Sequence, residues 1–226
     1  MLFDLHVHTY PSSPCAHLDG KTIAEYYKKA GYDGIVITDH FIKSFMVNYG
    51  LTYEECCKKH MQGYLEAKQK GDEIGLTVLY GCELRFQSNV NDYLVYGMTN
   101  DFLLSNPDIF DWTPAYFKEV CEQNGFVFYQ AHPFRNGITI INPEDLFGIE
   151  VFNGGYNQRN DIANIWAEKY NLHKISGSDC HSADQLGVAG INFYNKISNE
   201  KELVSALLND KYMLVERTGM RHLKTN

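Results

Sequence analysis

Histidine, aspartate and glutamate recur in this chain at spacings that suit metal chemistry. The segment "DLHVHT" places His6 and His8 two residues apart, and the proline-rich loop after it adds Cys15 and His17. On a strand, residues i and i+2 face the same side, so two such imidazoles can close on one cation. Neutral imidazole suits zinc, iron and manganese. Asp179-x-His181, in "GSDCH", repeats that spacing with a hard oxygen donor in place of one nitrogen. Glu83 is a candidate bridge, because one carboxylate can give each oxygen to a different ion. An isolated His-x-His is equally compatible with a polar strand face. Here, though, six of the nine histidines (6, 8, 17, 40, 132 and 181) fall at strand ends or in the loop after the first strand, which favours a metal cluster. His60, His173 and His222 do not, and read as surface or packing residues.

These residues need elements to position them. Residues 2–8 read as a strand, with Phe3, Leu5 and Val7 on one face and Asp4, His6 and His8 on the other. Thr22-x-x-Glu25 and Thr52-x-x-Glu55 read as capping boxes, the second opening a helix to about Lys70. Apolar runs at 34–38, 76–80, 91–98, 126–134, 146–155 and 172–181 read as further strands. Thr113-Pro114 opens a helix that Asn124-Gly125 closes, and helices are expected over 157–170 and 200–209, with a short last strand over 212–215. Alternating strands and helices predict an α/β fold with mostly parallel strands. His6, His8, Asp39, His40, Glu83, His132, Asn153, Asp179 and His181 all fall at or just past strand C-termini. A (β/α) barrel gathers such ends around one axis, whereas an open sheet spreads them along a line. The chain is short for eight units, so a reduced or distorted barrel is expected.

Composition bounds the function. The 226 residues suit one domain, and 44% apolar content with sixteen tyrosines and thirteen phenylalanines supports a large core. A net charge of −8 argues against an extended nucleic-acid surface. No signal peptide or membrane span is evident, and the six cysteines lack a CxxC pair. The expected location is therefore the cytosol, with the thiols reduced and mostly buried.

Taken in order, "DLHVHT", "ITDH", "GCELRF", "AHPF" and "GSDCH" resemble the motifs of the PHP (polymerase and histidinol phosphatase) family of metal-dependent phosphoesterases. The similarity runs from residue 4 to about residue 215. It implies a distorted, TIM-like (β/α)7 barrel with two or three divalent ions, zinc, manganese or iron, at the C-terminal face. Carried over motif by motif, it implies that His6, His8, Glu83 and Asp179 hold one ion and that Glu83 bridges to a second, held also by His132. His40, His181 and a ligand from the first loop would hold a third. The family's loop reads approximately Cys-x-His, which assigns His17 and leaves Cys15 a bystander. Many relatives supply another histidine from the strand after the glutamate. "NDYLVYGMTND" has none, which leaves Asp92 or water to substitute.

Around that centre, Asp4 and Asp39 are expected to hold histidine tautomers from behind. Asn153 either orients a ligand or closes a turn with Gly154. Arg135 and Arg85 can fork onto a phosphate. The expected reaction is hydrolysis of a small phosphomonoester or nucleotide. A hydroxide bridging two cations would attack phosphorus in line, Glu83 and Asp179 being the central catalytic carboxylates, and Asp179 or a ligating histidine relaying a proton. The alternatives are an amidohydrolase-type metal hydrolase and a non-catalytic, metal-stabilised PHP domain. Loops 41–51, 85–92 and 135–142 are expected to choose the substrate.

Overall fold

The computed structural model describes residues 1–155 and 158–216. His222 and the first residue of the helix expected over 157–170 lie outside them. In chain order the elements are β1 (Leu2–Val7), α1 (Gly20–Lys29), β2 (Gly34–Ile37), β3 (His40–Ile42), α2 (Lys43–Asn48), α3 (Tyr53–Ile74), β4 (Thr77–Arg85) and β5 (Tyr93–Tyr96). There follow α4 (Asn100–Ser105), α5 (Pro114–Asn124), β6 (Val127–Gln130), β7 (Gly148–Asn153), α6 (Asn160–Tyr170), β8 (His173–Gly177), β9 (Ala189–Phe193), α7 (Glu200–Leu208) and β10 (Tyr212–Glu216).

The strands form one sheet in the order β10-β9-β1-β2-β4-β5-β6-β7-β8, with β3 also on β4. Just past β8 the chain returns to β1. Cys180 donates its N–H to the His6 carbonyl at 3.2 Å and accepts from the His8 N–H at 3.0 Å, so the sheet nearly closes into a barrel. This is the expected distorted, TIM-like α/β architecture. The strands are not uniformly parallel, however. β5 runs antiparallel to β4 and β6, and β9 is antiparallel to β1 and β10. Only residues 86–92 separate β4 from β5, too few for the crossover that a parallel pair requires.

Local signals explain most element ends. The Thr52–Glu55 capping box is present, and Thr113 caps α5 with Pro114 in its first turn. The Thr22–Glu25 box is not. Asp19 accepts from the Thr22 N–H instead, and α1 starts at Gly20. β4 runs past the expected end at Tyr80 to Arg85, because β3 and β5 flank its second half. An aromatic-rich core of Phe3, Leu5, Leu94, Tyr96, Tyr129 and Phe193 fills the space beneath the polar strand ends. All six cysteines are free, and only Cys15 is exposed. Among the described residues no helix is long and apolar enough to cross a membrane.

His60, read as a packing residue, is buried under the polar strand ends. Its Nε2–H donates to the Asp39 carbonyl at 2.8 Å, and its Nδ1 accepts from the Tyr80 hydroxyl at 2.9 Å. Burial lowers its pKa to about 4. Below the ordinary value near 6.5 the unfolded chain takes up a proton that the folded chain refuses. Stability from this group is therefore full above pH 6.5 and is lost as pH falls towards 4. Urea unfolding at pH 7 and pH 5 should differ by about 2 kcal/mol on this account, and His60→Gln should remove that difference.

Candidate metal centre

β1 supplies His6 and His8, and each ring is turned by a partner at Nδ1. His6 Nδ1–H donates to the Glu150 carboxylate of β7 at 2.9 Å. Ser13 gives its hydroxyl proton to Asp39 at 2.7 Å, so its oxygen accepts from His8 Nδ1–H at 3.1 Å and from the His40 N–H at 2.9 Å. These contacts occupy Nδ1 of each ring and turn Nε2 towards the cluster. Both Nε2 atoms are buried and have no hydrogen-bond partner.

Carboxylates meet them there. Glu83 Oε1 lies 3.4 Å from His6 Nε2 and 3.1 Å from His132 Nε2, while Oε2 lies 3.4 Å from His8 Nε2 and 2.6 Å from His40 Nδ1. Asp179 Oδ1 is 3.4 Å from Nε2 of both His6 and His8. Two donors bound tetrahedrally at 2.0–2.1 Å stand about 3.3 Å apart. The spacing thus matches the edges of a coordination shell. Among the described residues, four overlapping groups have donors close enough for one ion: His6/Glu83/His132, His6/His8/Asp179, His8/His40/His181 and His40/Glu83/Asp92. These residues suit divalent ions by donor chemistry as well as by spacing.

The cluster is buried and strained. His6, His8 and Glu83 have no exposed surface. His132 (φ 32°) and Asp179 (φ 54°) occupy the left-handed region, uncommon for non-glycine residues and concentrated at functional sites. Gly177 lets β8 approach: a Cβ there would stand 2.4 Å from His6 Cβ and 2.9 Å from Glu150 Oε1. Burial alone would raise the Glu83 and Asp179 carboxyls. His40 and His6 instead hold Glu83 well below the usual range, and His6 and His8 do so for Asp179. Burial would also lower His6, but Glu150, Asp179 and Glu83 carry it well above its ordinary value. His8 goes well below, through burial and the nearby His181 and His40.

The surrounding residues depart from expectation in several places. Asp4 holds no histidine ring. It accepts from the Tyr27 hydroxyl at 2.8 Å and from the backbone N–H groups of Ser178 and His6, tying β1 to the end of β8. Burial raises its carboxyl to about 6. Asp39 acts on His8 only through Ser13, and also accepts from the Thr9 N–H at 2.7 Å and the Thr9 hydroxyl. Asn153 does both things considered for it. Its side-chain oxygen closes a turn with the N–H of Gly155, rather than with Gly154, and its amide donates to Glu150 at 2.8 Å and Asp179 at 3.4 Å. Arg85 grips Asp92 with two 2.7 Å bonds. Arg135 reaches Asp179 at 3.4 Å and Asp92 at 3.7 Å. Asp92 is fully buried, 3.9 Å from His132 Nε2, in the region where the expected histidine is missing.

His17 is not brought to the cluster. Its backbone N–H pairs with the His181 carbonyl at 2.8 Å, and the residue is exposed. Burial would raise the Cys15 thiol, but His181 and His40 lower it further, to about 6. Glu150 and Ser13 were not anticipated. Glu150 was visible as the lone charged residue within the "GIEVFN" strand, but Ser13 left no comparable mark.

The fold resembles several solved structures. It matches a two-domain protein from Bacteroides vulgatus containing a predicted PHP-like metal-dependent phosphoesterase (TM-score 0.70, 16% identity, 96% of this chain and 65% of that one). It also matches PsfC from Pseudomonas syringae (0.69, 18%, 97% and 92%) and Endonuclease Q bound to a duplex with an abasic lesion (0.63, 14%, 92% and 57%). The chain thus spans less than two thirds of the Bacteroides vulgatus protein and of Endonuclease Q. No curated protein matches it in sequence. Residues 157–212, which include Asp179 and His181, match the PHP-associated family model. The family-model match is confined to those residues, and the solved structures add likeness of fold to PHP-like proteins.

Proposed function

We propose that this chain is a single metallo-hydrolase domain that hydrolyses a small phosphate ester. The observation that carries this reading is the convergence of buried, unpartnered Nε2 atoms and carboxylate oxygens at coordination-shell spacing. His6, His8, Glu83 and Asp179 would hold one ion. Glu83 and His132, with Asp92, would hold a second, and His40 and His181 a third. Such ions supply Lewis acidity towards phosphoryl oxygens and lower the pKa of water.

The chain's own residues supply the rest. Glu150 and the Ser13–Asp39 pair keep His6 and His8 oriented, so that no donor has to reorganise during reaction. Arg85 and Arg135, tethered to Asp92 and Asp179, bring guanidinium groups to the rim, suited to paired bonds with a phosphate. Asp179 Oδ2 faces Arg135 and Asn153 rather than His6 and His8, and would be the oxygen to take a proton from attacking water. The net charge of −8 favours a small substrate over a long polyanion.

The test is to strip the protein with a chelator, reload it with zinc, manganese or iron, and offer phosphomonoesters, nucleotides, short DNA duplexes and cyclic amides. Metal-dependent phosphate release from the small esters is expected, and none from stripped protein. Loaded protein that turns over no phosphate ester would refute the proposal. Turnover of cyclic amides alone would make it an amidohydrolase, and cleavage of DNA alone a nuclease.

A further inference from the structure

A groove of about 450 Å³ opens beside the cluster, between α2 and the chain that leaves β4. Its place follows from strand register. β3 and β4 pair in parallel, with His40 opposite Glu83 and Ile42 opposite Arg85. Side chains two apart on a strand share a face, so Ile42 and Arg85 extend the face of His40 and Glu83 by one step, about 7 Å. Buried Ile42 and Phe86 floor the groove, and Lys43, Asn48, Arg85 and Gln87 are among the residues that wall it. They belong to the segments 41–51 and 85–92 that the sequence marks as choosing the substrate. The charge there is opposite to that of the chain. Among the described residues two cationic side chains and no acidic one line the groove, in a protein with a net charge of −8. Asp92 engages Nε and Nη2 of Arg85, which leaves Nη1 uncommitted. Lys43 pairs with the exposed Asp111 at 3.3 Å, a surface contact readily exchanged for a ligand.

We propose that this groove seats the leaving group of the substrate and selects phosphate esters whose alcohol part carries a second anionic group, a carboxylate or another phosphate. This deepens the phosphate-ester reading and rests on it. With the scissile phosphate at the cluster, the alcohol part runs outward along β3 and β4. The second anion must then lie about 7 Å or more from that phosphorus to reach Lys43 and Arg85. The amides of Asn48 and Gln87 offer both donors and acceptors to hydroxyl groups on the way. The volume falls within the range of pockets for small organic ligands.

Two matched pairs of esters, offered to metal-loaded protein, test this. One is 6-phosphogluconate against glucitol 6-phosphate, which differ by a carboxylate. The other is fructose 1,6-bisphosphate against fructose 6-phosphate, which differ by a phosphate. The member with the second anion should be preferred in kcat/KM by about ten- to a hundredfold, mostly through KM. A preference confined to one pair would support the proposal and name the anion as carboxylate or as phosphate. Lys43 is partly exposed, so its variants should melt as wild type does. Lys43→Gln should remove most of the preference, and Lys43→Glu should reverse it. Turnover with no preference in either pair would overturn the inference, as would a preference that Lys43→Glu leaves intact, or activity on other phosphomonoesters with none on either member bearing the second anion. Each of those results leaves the phosphate-ester reading standing. Loaded protein that releases phosphate from no ester would overturn this inference and that reading together.

Discussion

Glu83→Gln is expected to lower kcat by about a thousandfold while leaving the fold in place. Among the described residues no other side chain meets as many of the cluster's histidines: its two oxygens lie within 3.4 Å of His6, His8, His40 and His132. The amide has nearly the same shape, so packing against β3 and β5 survives. It lacks the negative charge, however, and turns an N–H donor towards atoms that need an acceptor. The stripped variant should melt within a few degrees of stripped wild type, because His6 and His40 can shed the protons that Glu83 helps them keep. Turnover, elemental analysis and thermal melts check this together. Full activity would remove Glu83 from the centre. A large fall in melting temperature on metal loss, with no turnover in wild type either, would mark the ions as structural.

Gly63→Ala is expected to lower the melting temperature by about 6–12 °C, opposite to the usual effect of that change inside a helix. The Gly63 N–H of α3 donates to the Ser12 hydroxyl, which in turn donates to the Lys59 carbonyl, so the first loop is threaded into the helix backbone. A Cβ at Gly63 would stand 1.7 Å from Thr9 Oγ1 and 2.9 Å from Asp39 Oδ2. Alanine therefore gains about 1 kcal/mol of helix propensity but displaces a buried hydroxyl–carboxylate bond and overpacks the loop, for a net loss of about 3 kcal/mol. The same displacement disturbs Ser13 and hence His8, so the first ion should bind 10–100-fold more weakly, as for other outer-sphere changes. Differential scanning calorimetry with a metal titration reads both effects. A raised melting temperature would show that the loop yields freely.

Local, repeated signals carried the most legible parts of this molecule. The periodicity of "DLHVHT", the caps at Thr52 and Thr113 and the placing of ligand-type residues near strand ends all act within a few residues. They sufficed for an α/β barrel with a cluster at one face. What escaped depends on distant contacts. His17 stands exposed, outside the candidate ligand groups, on a loop held by a backbone bond to His181 at the other end of the chain. Asp4 and His6 share a strand face in the simple alternation, yet the β1 register shifts between Asp4 and Val7, and Asp4 meets Tyr27 while His6 meets Glu150. The direction of β5 follows from a short connection whose two flanking strands were both foreseen. Glu150 was the one deep residue with a visible trace, a charge in a strand otherwise free of it.

The barrel's seam gives the cluster a second meaning. β8 meets β1 mainly through the short stretch around Cys180 and Val7, with His6 and His8 on one side and Asp179 and His181 on the other. An ion held by His6, His8 and Asp179 would span that seam, clasping β1 to the chain just past β8 as a rivet closes a hoop. About three quarters of the chain lies in the loop so closed, and loop-closure entropy grows with loop length. Loading the centre and closing the barrel would then be one event, and the stripped protein would part first along the line where its two ends meet.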